Sequence, residues 1–410
     1  MACAEGKGCV AMSDEVTPGV RLRMFREAAG KSRPQLAGLM GCSVESVKAI
    51  EVGRRELTLT MAVRAARALG IRDLSALYGP GVSFTVVERP THVAVPEVRR
   101  ALLMRRVDEG EPQSTGYVRA ALDSAWQVWH TSSKQRTETG RILPRLILDA
   151  RRAATRHQGP DRREAHRLLA ETYHLAHTWL AWHGAGELVW MSADRACSAA
   201  READDPLAMA RASWYYAALI RAVGDHEDAV LEVDSAIPLV RDRIEEDQES
   251  AAMYVDLEMC AALTLARAGD ESAWARWEKG RAIAHRLLPE GYAYPQTRIG
   301  RTLVELYGVM VAVGLGRGDE ARRHAANIDP ASIPSTERCA RHLLELARGY
   351  RLVGEELGAV HLLGQAVDVS AETMIYSPPA RALTRELLRK APAASREEVR
   401  RLASRIGIQE

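Results

Sequence analysis

The chain has 410 residues, with 56 Lys and Arg against 54 Asp and Glu, six cysteines and two phenylalanines. That length predicts two or three domains and ample core. The near-cancelling charges exclude a chain that is basic throughout, but not a locally basic module. No two of the cysteines, at positions 3, 9, 42, 197, 260 and 339, stand at CxxC spacing, which excludes a zinc ribbon and a redox motif. Scattered cysteines in a long chain fit a reducing cytoplasm. The N-terminus has no apolar run of the signal-peptide kind, and no stretch approaches the ~18 apolar residues of a membrane span. A cytoplasmic protein with no membrane partner is therefore expected. Abundant Ala, Arg and Leu beside so little Phe favours an all-α fold.

In chain order, residues 1–17 are small and polar and read as a disordered tail. Residues 18–79 hold short helical stretches broken by Gly and Ser. Pro80, Gly81, Pro90 and Pro96 bracket the run Thr85-Val86-Val87, so 80–96 reads as a linker with one short strand. Helical periodicity returns at Glu97, giving connecting helices over 97–160 and a repeat domain over 161–410. Charge is unevenly spread. Residues 17–80 carry eleven Lys and Arg against five Asp and Glu, a net +6, which leaves −4 for the rest. The pattern is that of a polyanion-binding head on a neutral body.

The head contains two helices joined by a tight turn. Ser32 caps the first, which tolerates Pro34 in its first turn; Leu36, Ala37, Leu39 and Met40 supply its buried face. Gly41 permits the turn. Ser43 caps the second helix, with Glu45 and Ser46 in its first turn, Val47 and Ile50 pointing inward, and Gly53 as the stop. Leu57, Leu59, Met61, Val63, Ala66 and Leu69 supply two further helices. The run Ser-x-x-x-Leu-Ala, Gly-x-Ser, Val-x-x-Ile-Glu-x-Gly-Arg-Arg, with Ala68-Leu69-Gly70-Ile71 downstream, resembles the helix-turn-helix domain of the XRE/Cro repressor family. That resemblance implies a five-helix head and binding to a double-stranded DNA operator.

A recognition helix presents its N-terminal residues to base edges in the major groove. The outward positions are Val44, Glu45, Lys48 and Ala49, beside the capping Ser43 and Ser46. Lys48 can donate to guanine O6 or N7, Glu45 can accept from cytosine N4, and Val44 can meet a thymine methyl. Glu45 has a second reading, as a first-turn acid that favours the helix dipole. Arg33, Arg54 and Arg55 are placed for phosphates. So few base-reading groups predict modest specificity per half-site and reliance on a homodimer.

The body repeats a helix, a Gly followed by an acid, and a second helix. The turns fall at Gly186-Glu187, Gly224-Asp225, Gly269-Asp270, Gly318-Asp319 and Gly354-Glu355, the fourth fitting better from Gly316. Periods of this size read as an α-solenoid. Ala217, Gly224, Ala229 and Ala236, and later Ala347, Tyr350, Gly354, Ala359 and Ala366, fall where tetratricopeptide repeats place packing residues; Ala275 and Ala282 are shifted by one. The body thus resembles a tetratricopeptide array. All eight tryptophans lie in it, three pairs at i, i+3 spacing (126/129, 179/182, 274/277); these pack helices together or line a groove. On the repeat register, His174, Arg211, Trp214, Arg221, Asp256, Arg341, Arg348 and Arg351 face the concave surface. Several arginines there suit an anionic ligand, or are a solvated face of an Arg-rich chain.

Nothing in the sequence calls for a cofactor, a metal or a catalytic role. His174 and His177 share a helix face, but a third metal ligand has no convincing spacing. The segment from Gly314 to Asp319 lacks the Lys-Ser/Thr of a phosphate loop and follows a helix. The layout as a whole resembles the XRE-plus-tetratricopeptide regulators of actinobacteria and, more distantly, peptide-sensing regulators. It implies a non-enzymatic, homodimeric transcription regulator whose repeats bind a peptide or small molecule. The competing expectation is an interaction scaffold with a vestigial head.

Overall fold

Thr17, Ser32, Ser43 and Thr58 each stand one residue before a helix, and in the structure each side chain accepts a hydrogen bond from a first-turn amide. Such caps satisfy donors that the helix leaves open. A computed structural model describes residues 17–71, 74–78, 90–105, 107, 110–390 and 395–408. It is all-α, without a strand among the described residues. Of the tail assigned to 1–17, residues 1–16 lie outside them, as does the strand assigned to 85–87, whereas Thr17 is ordered as the cap of the first helix. Chain contacts separate two units, 1–88 and 89–410.

The first unit comprises α1 (Pro18–Ala28), α2 (Arg33–Met40), α3 (Val44–Glu51), α4 (Leu59–Leu69) and α5 (Ser75–Tyr78). Leu22, Leu36, Met40, Val47, Ile50, Ala62, Ala65 and Leu77 form its core. Gly41 ends α2 at φ 63°, the left-handed conformation that lets α3 turn away. Gly19 lets α1 lie directly on α3, since a Cβ there would sit 2.0 Å from the Ile50 carbonyl oxygen.

The second unit begins with α6 (Val95–Leu103), α7 (Thr115–Thr131) and α8 (Gln135–Arg156). Helix hairpins follow: α9 (Gly159–Leu180) with α10 (Gly186–Ala203), and α11 (Pro206–Ala222) with α12 (His226–Ala236). After the short α13 (Pro238–Arg241) come α14 (Gln248–Ala268) with α15 (Ala273–Leu287), then α16 (Arg301–Gly314) with α17 (Gly318–Ala325). The last hairpin is α18 (Thr336–Leu352) with α19 (Glu356–Val369), trailed by α20 (Ala371–Tyr376), α21 (Pro378–Lys390) and α22 (Arg396–Arg405). First helices stack in order, α9 on α11, α11 on α14, α14 on α16 and α16 on α18, which makes an α-solenoid.

Two details of the repeat register differ from the sequence expectation. In the first hairpin the left-handed turn glycine is Gly184, while Gly186 opens the second helix; in the fourth it is Gly316, the better-fitting position in the sequence, and Gly318 opens the second helix. In the third hairpin Ala275 and Ala282 are exposed; Ala273, Gly280 and Ala284 are the small residues packed inward. A Cβ on Gly280 would meet Met259 Cε at 2.5 Å. The other packing positions are where the spacing puts them, with Ala217, Ala229, Ala347, Ala359 and Ala366 fully buried.

The solenoid closes on itself. α18 packs on α7 and α20 on α8. His130 Nδ1 lies 3.1 Å from Ser335 Oγ, and the Gln135 amide joins Ser370 and Thr373. Glu372 accepts from the Arg136 backbone N–H at 2.8 Å and from Thr137 Oγ1 at 2.5 Å. The connection between α15 and α16, residues 288–300, turns inward, with Tyr294 and Ile299 fully buried.

Candidate nucleic-acid interface and repeat interior

The candidate interface is built from the outside of α3. Val47 and Ile50 face the core, fully buried. That fixes the opposite face outward, where Val44 is 42% exposed and Glu45 and Lys48 are exposed. Ala49 is half-buried. The two base-reading candidates pair with each other, Lys48 Nζ lying 3.8 Å from Glu45 Oε1. An exposed pair of this kind is weak and readily exchanged for base contacts. Ser43 and Ser46 are engaged at the helix start. Ser43 Oγ accepts from the Ser46 N–H at 3.1 Å and lies 2.8 Å from Ser46 Oγ.

Arg54 and Arg55 follow α3, both exposed. Their amides donate to the Ala49 carbonyl at 2.8 and 3.1 Å, which fixes the turn that carries them. Arg55 Nη1 reaches back to Ser46 Oγ at 3.3 Å. Arg33 is differently placed. Its Nε donates to Glu51 Oε2 at 2.7 Å, leaving the side chain 34% exposed, so only the outer part of the guanidinium is free for a phosphate.

Glu51 is the residue that sequence reasoning left without a role. Its carboxylate is buried and also takes Arg26, Nε to Oε1 at 2.5 Å and Nη2 to Oε2 at 3.0 Å. One buried acid thus locks α1 and α2 onto α3. The two guanidinium groups outweigh burial and hold its pKa below the ordinary carboxylate value. An acid directly after the inward-facing Ile50 was the available signal.

In the body the structure corrects one expectation. His174, Arg211 and Asp256 are buried rather than set on an open concave surface. The physical reason is residues 288–300, which fill that side of the solenoid. Arg211 donates to the Tyr294 hydroxyl, and Asp256 Oδ2 accepts from Thr297 Oγ1 at 2.5 Å. Gln296 Nε2 donates to Glu171 at 2.7 Å, and the Gln296 carbonyl faces His130 Nε2 at 3.1 Å. His174 stacks on Tyr215 at 4.4 Å. Prolines and glycines at 289, 291, 295 and 300 marked this segment as non-helical; nothing in the sequence gave its direction.

Burial dominates the electrostatics here. It pushes Asp256 up to about 7, His130 down to about 3, and His177 and His342 down to about 4. The remaining groove candidates are partly exposed and already partnered. Trp214 Nε1 donates to the Asp256 carbonyl at 3.0 Å, and Arg221 to Thr264 Oγ1 at 3.1 Å. Arg341 meets Glu337 at 3.3 Å, Arg348 meets Glu345 at 2.6 Å and Arg351 meets Glu386 at 2.6 Å. Of the paired tryptophans, Trp126, Trp129, Trp179 and Trp277 are core residues. Trp182 is half-buried and lies between Arg136 and Arg341, at 5.4 and 5.2 Å from their guanidinium carbons.

Comparison with known proteins agrees with the first unit. A helix-turn-helix domain family matches residues 19–76. The head is a helix-turn-helix domain. No curated protein sequence matches the chain. Among solved structures, the apo form of the competence regulator ComR from Streptococcus vestibularis is similar at 11% identity, over 96% of this chain and 98% of that one, with a TM-score of 0.28. No helix among the described residues is long and apolar enough to cross a membrane.

Proposed function

We propose that this protein is a sequence-specific, operator-binding transcription regulator of the XRE/Cro kind, whose repeat body dimerises and senses a peptide or small molecule. The head spans residues 18–79, joined through 80–96 to the connecting helices and repeats. The observation that carries the reading is the outer face of α3. Val44, Glu45 and Lys48 stand exposed at the start of a capped helix, flanked by exposed Arg54 and Arg55, in a domain that matches the helix-turn-helix family.

In this reading Lys48 and Glu45 read base edges and Val44 meets a thymine methyl, while Arg33, Arg54 and Arg55 hold phosphates. A dimer sets two recognition helices about one DNA turn apart. The body acts on the head only through a ligand that binds two dimer geometries unequally. The partly exposed arginines of the repeats, Arg221, Arg341, Arg348 and Arg351, support a ligand that carries negative charge.

Selection of bound fragments from random DNA, followed by gel shift on the recovered sequence, tests the regulator. A recovered two-fold symmetric site, bound far more tightly than its scrambled counterpart at moderate salt, is the expected result. Equal affinity for both sequences overturns it.

A further inference from the structure

Residues 288–300 fill only one level of the solenoid interior. Their partners Arg211 and Asp256 lie in the first halves of α11 and α14. Further along the same helices stand Arg221, ten residues after Arg211, and Arg267, eleven after Asp256. A rise of ~1.5 Å per residue places them about 15 Å beyond the inserted segment. The helical period sets Asp256, Cys260, Thr264 and Arg267 on one face of α14, and Arg341, Glu345 and Arg348 on one face of α18. Arg221 Nη1 crosses from α11 to that face of α14, donating to Thr264 Oγ1 at 3.1 Å and to the Cys260 carbonyl at 3.3 Å.

Arg267 is exposed to water, and among the described residues it has neither a hydrogen bond nor an ion pair. Protein nevertheless closes around it. Burial and the charges of Arg221, Arg341 and Arg348, only partly offset by Glu345, hold it down to about 10. A side chain that is wet and still hemmed in stands in a recess open to solvent. Helix C-termini favour cations, and both Arg221 and Arg267 occupy last turns. A favourable dipole alone raises an arginine's pKa, so the fall shows that confinement with like charges wins. Charge counting then gives the missing partner. Arg341 is matched by Glu337 at 3.3 Å and Arg348 by Glu345 at 2.6 Å. Among the described residues Arg221 and Arg267 have no carboxylate, which leaves two positive charges in excess.

We propose that this recess, at the C-terminal ends of α11 and α14, binds the dianionic phosphate group of a small molecule, held by Arg221 and Arg267 with Arg341 and Arg348 of α18 beside them. Guanidinium groups suit phosphate because each offers parallel N–H donors to two oxygens. Two unmatched cations balance a phosphomonoester, which carries about two negative charges near neutral pH; a carboxylate leaves one of them uncovered. The recess thus supplies a ligand class for the sensor reading, on which its biological consequence rests.

The full-length protein is titrated calorimetrically at fixed ionic strength and about pH 7.5 with methyl phosphate, a dianion there, and with dimethyl phosphate, a monoanion of the same tetrahedral shape. Methyl phosphate binds saturably and at least about tenfold more tightly than dimethyl phosphate. Arg267→Gln, at an exposed position, lowers methyl phosphate affinity at least about tenfold with unchanged circular dichroism. Arg221→Gln does the same, and Arg286→Gln, exposed on α15, does not. Equal binding of the two esters, an undiminished affinity in Arg267→Gln, or no saturation up to about 20 mM overturns the proposal. So does binding that is lost in Arg54→Gln and kept in Arg267→Gln, which assigns the anion to the head. Operator binding is scored separately by gel shift, so failure of the phosphate site and failure of the regulator reading are told apart.

Discussion

The two units treat buried charge in opposite ways. In the head one carboxylate, Glu51, faces two guanidinium groups and every contact is short, 2.5–3.0 Å. The interior is electrically finished, and the groups left seeking partners lie outside, on α3 and just after it. In the body the exterior is laced with ion pairs, while inside Glu337 faces three guanidinium groups, and His342, Arg338 and Asp256 keep unpaired atoms. Unpaired polar chemistry thus lies on the outside of the head and in the interior of the body.

The largest break of this contrast is Glu51→Ala. It strands Arg26 and Arg33 and costs the head about 3–5 kcal/mol, the usual loss when one member of a buried pair is removed. Since every tryptophan is in the body, the head is followed by amide hydrogen exchange in α1, α2 and α3. Unchanged protection there sinks the claim that Glu51 is the clamp.

The body responds to pH instead. Unfolded, a histidine titrates near ~6.5; folded, His130 does so at about 3 and His177 and His342 at about 4. Between those values the unfolded chain binds more protons than the folded one. The stability these groups contribute is therefore complete above ~6.5 and is lost as pH falls toward 4. Asp256, raised to about 7, acts the other way, because the folded form holds a proton that the unfolded chain has released above ~4. Three groups outweigh one, so thermal melts of the body should fall by a few kcal/mol equivalent between neutral pH and ~4.5. Asp256→Asn should steepen that fall by removing the opposing group. A melting temperature that rises on acidification contradicts the assignment.

Smaller effects sharpen the exterior side of the comparison. Lys48→Ala should weaken binding to the selected operator by ~1–3 kcal/mol while leaving scrambled DNA nearly untouched. Arg54→Ala should weaken both about equally and reduce the salt slope by about one. The reverse pattern in a gel-shift series would overturn the groove assignment. Least of all, Glu45→Gln should change head stability by under ~0.5 kcal/mol, because its pair with Lys48 is exposed. A larger loss in denaturant melts would make Glu45 a structural residue.

What the sequence showed and what it hid follow from range. Caps and turns are local, so Ser32, Ser43, Gly41 and Gly53 announced the head, and Gly224, Gly269 and Gly354 announced three hairpins. Gly184 was overlooked because it sits two residues before a second glycine, and spacing alone does not say which takes the left-handed conformation. Non-local facts were not legible. Nothing in the repeat register shows that residues 288–300 turn inward, or that Ser335 and Glu372 reach α7 and α8. The candidate groove was therefore drawn as open, and three of its members proved to be interior.

The meeting of the first and last helices bears on how the body folds. An ordinary tandem array has two free ends, frays from either, and tolerates loss of a terminal unit because each repeat answers only to its neighbours. Here contacts such as Gln135 with Ser370 span 235 residues, so no repeat is terminal. The array should melt in a single cooperative step and fold slowly, since the ring cannot close until nearly all of it exists. Deleting α20 to α22 should then loosen α7 and α8, at the opposite end of the chain, before it disturbs the hairpins in between.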